Sequence, residues 1–283
     1  QIDCDLEETG YLFLATCAAR ERRLRAEFDL AEQMGFDHQW LEGAALDEHA
    51  VDCVIVQNAW AIPMQLPLAV AADRVLGERH LPAIGHHHDF WWERERFSRC
   101  VVPDILETVF PPTRDEVAHI VINADAADDL HARRGVRSAV LPNVMDFEHP
   151  PVPGDGAGFR GRAGVEPGSR LLLQPTRVIP RKGIELTIEL AARVAEPATV
   201  VVTHPDDLDA EYWSRLEAHA SQLGVPLRLV DAGRSATDLA DAYAAADVVC
   251  FPSWYEGYGN ALVETFYYRR PVVVNRYSVY VRD

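Results

Sequence analysis

From about residue 170 onward, the chain alternates between two patterns of apolar and polar positions. Short runs of apolar and β-branched residues fit strands that are buried on both faces, and stretches with apolar residues every three or four positions fit helices. Regular alternation of the two predicts βαβ units around a parallel sheet. The predicted strands are 170–176, 199–203, 226–230, 247–252 and 271–275, and the predicted helices are 182–195, 208–223, 237–246 and 260–269.

The first half of the chain shows the same alternation less regularly. Residues 148–168, which separate the halves, are rich in Pro and Gly, a composition typical of linkers. We therefore predict an α/β protein with two Rossmann-like domains that face a central cleft: 1–147, and 169–283 after the linker. Within the first domain we predict strands at 51–57, 81–88 and 118–124 and helices at 20–34, 66–79 and 125–134.

Composition and charge narrow the classes of partner. The 283 residues carry 44 acidic against 27 basic side chains, a net charge of −17, and an acidic surface disfavours nucleic acid and anionic membranes as partners. No stretch approaches the ~20 uncharged apolar residues of a membrane span, and the charged first residues do not resemble a secretory signal. Five cysteines without a Cys-x-x-Cys pair favour a reducing compartment. We predict a cytoplasmic protein with no integral membrane contact.

Two cations flank the turn after the strand predicted at 170–176. The segment T-R-V-I-P-R-K-G contains Arg177 and Lys182, and Lys182 is the single lysine among the 27 basic residues. Ligands of open α/β sheets bind at the carboxyl ends of strands, where helix N-termini favour anions. An isolated pair of this kind is often only a solvated turn. The use of lysine here, in a chain that otherwise uses arginine, favours a contact with phosphate.

A second polar segment, P-S-W-Y-E-G-Y-G-N-A-L-V-E at 252–264, follows the strand predicted at 247–252. Glu256 lies in its loop, and Gly259 allows close approach of a ligand to the backbone. Glu264 falls about one turn into the next helix, whose side chains lean toward its N-terminus. A carboxylate beside a phosphate site is repulsive unless it contacts a sugar, which favours a nucleotide or nucleotide-sugar. The alternative is a glycine-rich loop with a capping glutamate.

Together these motifs resemble those of the retaining glycosyltransferases of family 4. The likeness rests on R-x4-K-G after one strand and on two glutamates separated by seven residues after a later strand. L-P-N-V-M-D at 141–146 also resembles that family's Pro-Asn-Gly-Val-Asp segment, although Val144 and Met145 replace Gly-Val. The resemblance implies a GT-B fold, a nucleotide-sugar donor on the C-terminal domain, an acceptor on the N-terminal domain and no obligatory metal or cofactor.

By this resemblance, Arg177 and Lys182 hold the donor diphosphate, Glu264 binds the ribose and Glu256 contacts the transferred sugar. The family also has a histidine at the end of the strand predicted at 81–88. His88 fits that position, and a shift of register would make it His87 or His86. The backbone amides that complete the donor site would be those of Gly259, Asn260, Ala261 and Leu262.

The function implied is that of a hexosyltransferase of carbohydrate biosynthesis. It would move a sugar from a UDP- or GDP-sugar to a hydroxyl of a small-molecule or glycan acceptor, with retention of anomeric configuration. A GT-B-like nucleotide-sugar epimerase and a non-catalytic nucleotide-sugar-binding protein remain as alternatives. Members of the family normally continue for several elements beyond the strand corresponding to 271–275, so the C-terminal domain is expected to be incomplete.

Overall fold

The computed structural model describes residues 53–94, 97, 102–149, 152, 154–205, 208–232 and 236–282. The helix predicted at 20–34 therefore lies outside the described residues. The chain divides into two compact units, with the boundary between Ile120 and Val121. The predicted domain boundary lies further along the chain, after residue 147, and the domain assignment stays a prediction.

Among the described residues, the first sheet has four strands, which neighbour each other in chain order. The strands predicted at 81–88 and 118–124 are confirmed with shifted ends. The second strand ends before residue 124 because Asn123 already caps the following helix, where its side chain accepts a hydrogen bond from the N–H of Ala126. Large buried side chains of this region include Trp60, Leu106 and Phe110. The elements are β1 (Val54–Gln57), α1 (Leu66–Glu78), β2 (Ala83–His87), α2 (Pro103–Val109), β3 (Val117–Val121), α3 (Ala124–Arg134) and β4 (Ala139–Val140).

In the part of the chain that the structure describes, the second sheet has five parallel strands in the order β7-β6-β5-β8-β9, which confirms the prediction of a parallel sheet in the second half. The chain runs outward from the central strand to β7 and then returns to the other side of it. Strand order thus reverses beside β5, so the loops after β5 and β8 are neighbours. The strands are β5 (Arg170–Arg177), β6 (Ala198–His204), β7 (Leu227–Leu229), β8 (Val248–Phe251) and β9 (Val272–Val274).

Helices cover both faces of this sheet, as its buried strands require. Alternate residues of β5 face opposite layers: Leu172 packs with Ile184 and Ile188, and Leu173 packs with Tyr243. The longest described helix has 14 residues. In the part of the chain that the structure describes, no helix is long and apolar enough to cross a membrane. The helices are α5 (Ile184–Ala191), α6 (Ala210–Leu223), α7 (Ala236–Ala245), α8 (Asn260–Tyr267) and α9 (Ser278–Arg282).

A helix, α4 (Gly156–Arg162), lies inside the segment predicted as a linker. Asp155 caps it by accepting a hydrogen bond from the N–H of Gly158, and Phe159 is buried in the core beside Tyr243. A Cβ on Gly156 would lie 2.7 Å from the backbone of Ala244, so this glycine lets two helices approach closely. Gly156, one of the glycines that suggest a flexible linker, therefore serves helix packing.

Candidate functional site

The turn after β5 is held by a buried glutamine. Gln174 is fully buried, and its amide nitrogen donates to the carbonyl oxygen of Lys182 at 2.8 Å. Its amide oxygen accepts from the hydroxyl of Thr187 on α5 at 2.6 Å. Gly183, the N-cap residue of α5, adopts the left-handed region at φ 61°. These bonds fix the backbone that carries Lys182, and sequence reasoning had not singled out Gln174.

A buried ion cluster joins this turn to the loop after β8. The ammonium of Lys182 donates to Oε1 of Glu256 at 2.5 Å, and the guanidinium of Arg181 donates to Oε2 at 3.0 Å. Arg181 also donates to the carbonyl oxygen of Tyr255 at 2.8 Å. The side chains of Lys182 and Glu256 are only 11% and 8% exposed. The structure thus brings together two of the predicted site residues and adds Arg181, which the sequence motif did not single out.

The charges of this cluster leave a positive excess. Burial by itself would raise the pKa of Glu256, but Lys182 and Arg181 outweigh it and hold that pKa below its ordinary value. Glu256 is therefore a carboxylate at neutral pH. The exposed Arg177, which is close enough to disfavour the charge on Lys182, adds a third cation. Three cations against one carboxylate, at the carboxyl ends of neighbouring strands, suit an anionic ligand.

The start of α8 offers backbone donors beside this cluster. Gly259 adopts φ 101° and precedes the helix. The amide of Leu262 donates to the carbonyl oxygen of Gly259 at 2.8 Å, so one of the four predicted amides already has an internal partner. For the amides of Gly259, Asn260 and Ala261, no partner lies among the described residues. A helix N-terminus with free amides stabilises negative charge.

Glu264, one turn further along α8, contacts a tyrosine. The hydroxyl of Tyr243 on α7 donates to Oε2 of Glu264 at 2.9 Å. Burial raises the pKa of Glu264, and this hydrogen bond opposes the rise. Sequence reasoning had treated Tyr243 only as part of a helix.

Two asparagine side chains hold the loop after β8 from the other side. Asn123 donates to the carbonyl oxygen of Gly257 at 2.6 Å, and Asn143 donates to Oδ1 of Asn260 at 2.6 Å. Asn143 belongs to the segment 141–146 that carries the family resemblance. The structure therefore brings that segment into contact with the motif at 252–264.

His86 and His87, at the end of β2, and His88, which follows it, point in two directions, as strand alternation predicts. His86 and His88 both bond Gln57, through its amide oxygen at 3.0 Å and its amide nitrogen at 2.7 Å. Asn58 accepts from the backbone N–H of His88 at 2.9 Å. His87 is fully buried, whereas His86 and His88 are partly exposed. The role of these histidines as contacts to the transferred sugar stays a prediction.

His87 forms a buried pair with His119 of β3, with Nε2 and Nδ1 3.0 Å apart. Burial, and in addition His119, hold the pKa of His87 well below its ordinary value. An unfolded histidine titrates near pH ~6.5, so below that pH the unfolded chain binds a proton that the folded chain refuses. The free energy of unfolding should therefore fall on acidification from pH ~6.5, by up to about 1.4 kcal/mol per pH unit.

Urea unfolding between pH 7.5 and pH 5 measures this loss, and a His87→Leu variant is expected to show a shallower slope. The exposed His131 on α3 provides the control, because His131→Gln should keep the slope of the unaltered chain. Equal slopes for all three proteins would contradict the assignment.

Comparison with known proteins shows which family and which relatives this chain resembles. Residues 159–282 match the model of the family described as Glycosyl transferases group 1. Mannosylglucosylglycerate synthase of Thermotoga maritima is 34% identical over 257 residues, which cover 82% of this chain and 58% of that protein. The Petrotoga mobilis protein of the same name is 31% identical over 265 residues, with shares of 82% and 61%. The chain thus spans about three fifths of the length of these two curated relatives.

A solved structure supports the same fold. Anabaena Alr3699/HepE, crystallised in complex with UDP and glucose, matches 81% of this chain and 60% of its own length with a TM-score of 0.61. The two share 18% sequence identity, so this likeness concerns the fold alone. Residues 159–282 therefore belong to the glycosyl transferases group 1 family, and the two parallel sheets and the likeness to HepE show that the chain has the GT-B fold.

Proposed function

We propose that the protein is a retaining glycosyltransferase that moves a hexosyl group from a nucleoside-diphosphate sugar to an acceptor hydroxyl. The observation that carries this proposal is the ion cluster in which Arg181 and Lys182 pair with the carboxylate of Glu256, with Arg177 close to Lys182. A diphosphate leaving group needs preorganised positive charge where its own charge develops. The free amides at the start of α8 add to that charge.

The roles of the side chains follow from their chemistry in this arrangement. Arg177 and Lys182 would hold the diphosphate. Arg181, which is bound to Glu256, would help to keep that carboxylate ionised. A carboxylate has about four lone-pair sites, so Glu256 can accept bonds from sugar hydroxyls while it stays bound to its cations. Glu264 would bind the ribose, and His88 would contact the transferred sugar. With side-chain cations at the diphosphate, we propose that no metal is obligatory.

The donor is proposed to be a UDP- or GDP-sugar. HepE, solved with UDP-glucose, supports a uridine nucleotide. The relatives named for making mannosylglucosylglycerate support mannosyl transfer and a small soluble acceptor. The acidic excess disfavours nucleic acid as an acceptor. The cysteine pattern supports a cytoplasmic location.

A transfer assay with the whole protein tests this proposal. UDP-glucose and GDP-mannose are incubated separately with small glycoside acceptors, release of the nucleoside diphosphate is measured, and the product linkage is determined by NMR. We expect release that depends on the acceptor and a product with the anomeric configuration of the donor. Inversion would contradict retention, and an altered sugar still attached to the nucleotide would identify an epimerase. Binding without turnover would identify a non-catalytic protein.

A further inference from the structure

Tyr243, on the helix before β8, contacts Glu264, the residue predicted to bind the ribose, on the helix after β8. Its side chain is fully buried, and its hydroxyl lies 2.9 Å from Oε2 of Glu264. The ring stacks on Tyr268 with the centroids 4.5 Å apart and the planes 11° from parallel. A buried and stacked ring cannot change rotamer without a cost in packing. The hydroxyl oxygen is therefore held in place, and the carboxylate oxygen at 2.9 Å is a nearer acceptor for its proton than the carbonyl oxygen of Ala261 at 3.2 Å.

This donor occupies one side of the carboxylate. Among the described residues, no side chain or backbone amide donates to Oε1 of Glu264. An ionised carboxylate can accept at both oxygens, so Oε1 and the second lone pair of Oε2 remain available. Two acceptor sites on one carboxylate match the two vicinal hydroxyls of a ribose.

We propose that Tyr243 is a positioning residue, which orients Glu264 through Oε2 so that the carboxylate accepts both vicinal hydroxyls of the donor ribose. This inference rests on the proposed function, in which Glu264 binds the ribose. Without the hydroxyl, the carboxylate loses the one side-chain hydrogen bond that it has among the described residues. It can then rotate away from the diol, and discrimination for the intact ribose falls.

The burial of Glu264 makes this tether more important. Burial raises the pKa of the Glu264 carboxyl group, and the Tyr243 hydroxyl opposes that rise by bonding the ionised form. Removal of the hydroxyl thus disfavours the ionised form that accepts ribose hydroxyls. The loss of orientation and the loss of the ionised form of Glu264 should therefore both weaken binding of the ribose.

Calorimetric titration of UDP, GDP and their 2′,3′-dideoxy analogues tests the assignment in the whole protein. For the nucleotide that the unaltered protein binds, Tyr243→Phe should weaken binding about tenfold, the range expected when a hydrogen bond to a charged group is lost. Binding of the dideoxy analogue, which has no diol, should stay as it is. In the transfer assay the donor KM should rise while kcat changes little.

Two further variants separate positioning from folding. Glu264→Gln should also lose the preference for intact ribose, and adding Tyr243→Phe to it should weaken binding no further, because both act at one carboxylate. Tyr268→Phe keeps the stacked ring and should bind like the unaltered protein.

Equal weakening of intact and dideoxy nucleotides by Tyr243→Phe would overturn the inference and leave the proposed function standing, as would unchanged binding of both. An unaltered protein that binds neither nucleotide would overturn the proposed function, and this inference with it.

Discussion

Replacement of Lys182 by methionine is expected to lower kcat for sugar transfer by about 10²–10³-fold, the usual effect of removing one preorganised charge from a transition state. Methionine keeps most of the buried chain volume, and Arg181 remains bound to Glu256 at 3.0 Å. The carboxylate therefore keeps a counter-charge, and the fold should survive. Initial rates at saturating donor, measured beside a urea unfolding curve, provide the test.

Glu256→Gln makes the complementary change and should affect stability as well as activity. It leaves the 11% exposed ammonium of Lys182 without its carboxylate, and removal of one partner from a buried ion pair costs about 3–5 kcal/mol. In the double variant Lys182→Met/Glu256→Gln, the uncompensated ammonium is gone. We expect its stability to recover relative to Glu256→Gln, while its activity stays low.

A control for these variants comes from an exposed ion pair in the same unit. The side chain of Arg193 is 70% exposed and pairs with Glu189 four residues earlier. Exposed pairs contribute little to stability, so Arg193→Met should change neither the unfolding midpoint nor the initial rate of sugar transfer. If Lys182→Met were as active as the unaltered protein, the role assigned to the cluster would be wrong.

Gly183→Ala is expected to destabilise the protein and to lower its activity. Gly183 lies in the left-handed region at φ 61°, which costs an alanine about 1–2 kcal/mol. Its new Cβ would also lie 2.7 Å from the carbonyl oxygen of Pro252, and relief of such an overpacked contact costs about 1–3 kcal/mol more. The backbone shift that relieves it would move Lys182 relative to Glu256. Chemical unfolding and initial rates measure the two effects.

Gly135→Ala is the matched comparison for this variant. Gly135 ends α3 at φ 72°, and a Cβ there would meet no atom within 4 Å. It therefore reports the cost of the backbone angle without a close contact, and activity should be unaffected. Equal destabilisation by the two substitutions would mean that the approach of Pro252 to Gly183 contributes nothing.

Local periodicity was sufficient for most of the second sheet. The five strands from β5 to β9 are where the apolar runs predict them, with ends shifted by a few residues. The prediction was less successful where glycine has a packing role: Gly156 lies in α4, a helix that the composition of 148–168 conceals. The short helices α2 and α9 were also not predicted, because neither presents enough turns to show a period.

The sequence by itself determined the fold class and the chemistry of the candidate site. The periodicity of each strand and the charged residues that follow β5 and β8 are local features of the sequence. Each can be recognised without knowledge of the rest of the chain. Arg177, Lys182, Glu256 and Glu264 could therefore be proposed from their positions at strand ends and from the family motif.

Only the tertiary structure decided which side chains contact one another. The contact of Lys182 with Glu256 and that of Tyr243 with Glu264 follow from the place of β8 beside β5 and from the packing of α7. Lys182 and Glu256 are 74 residues apart in the chain. Local pattern carries no information on such pairings, because strand order and helix packing come from burial of the whole sheet. For that reason Tyr243 appears from sequence as an ordinary helical residue, and only the folded chain shows what its hydroxyl contacts.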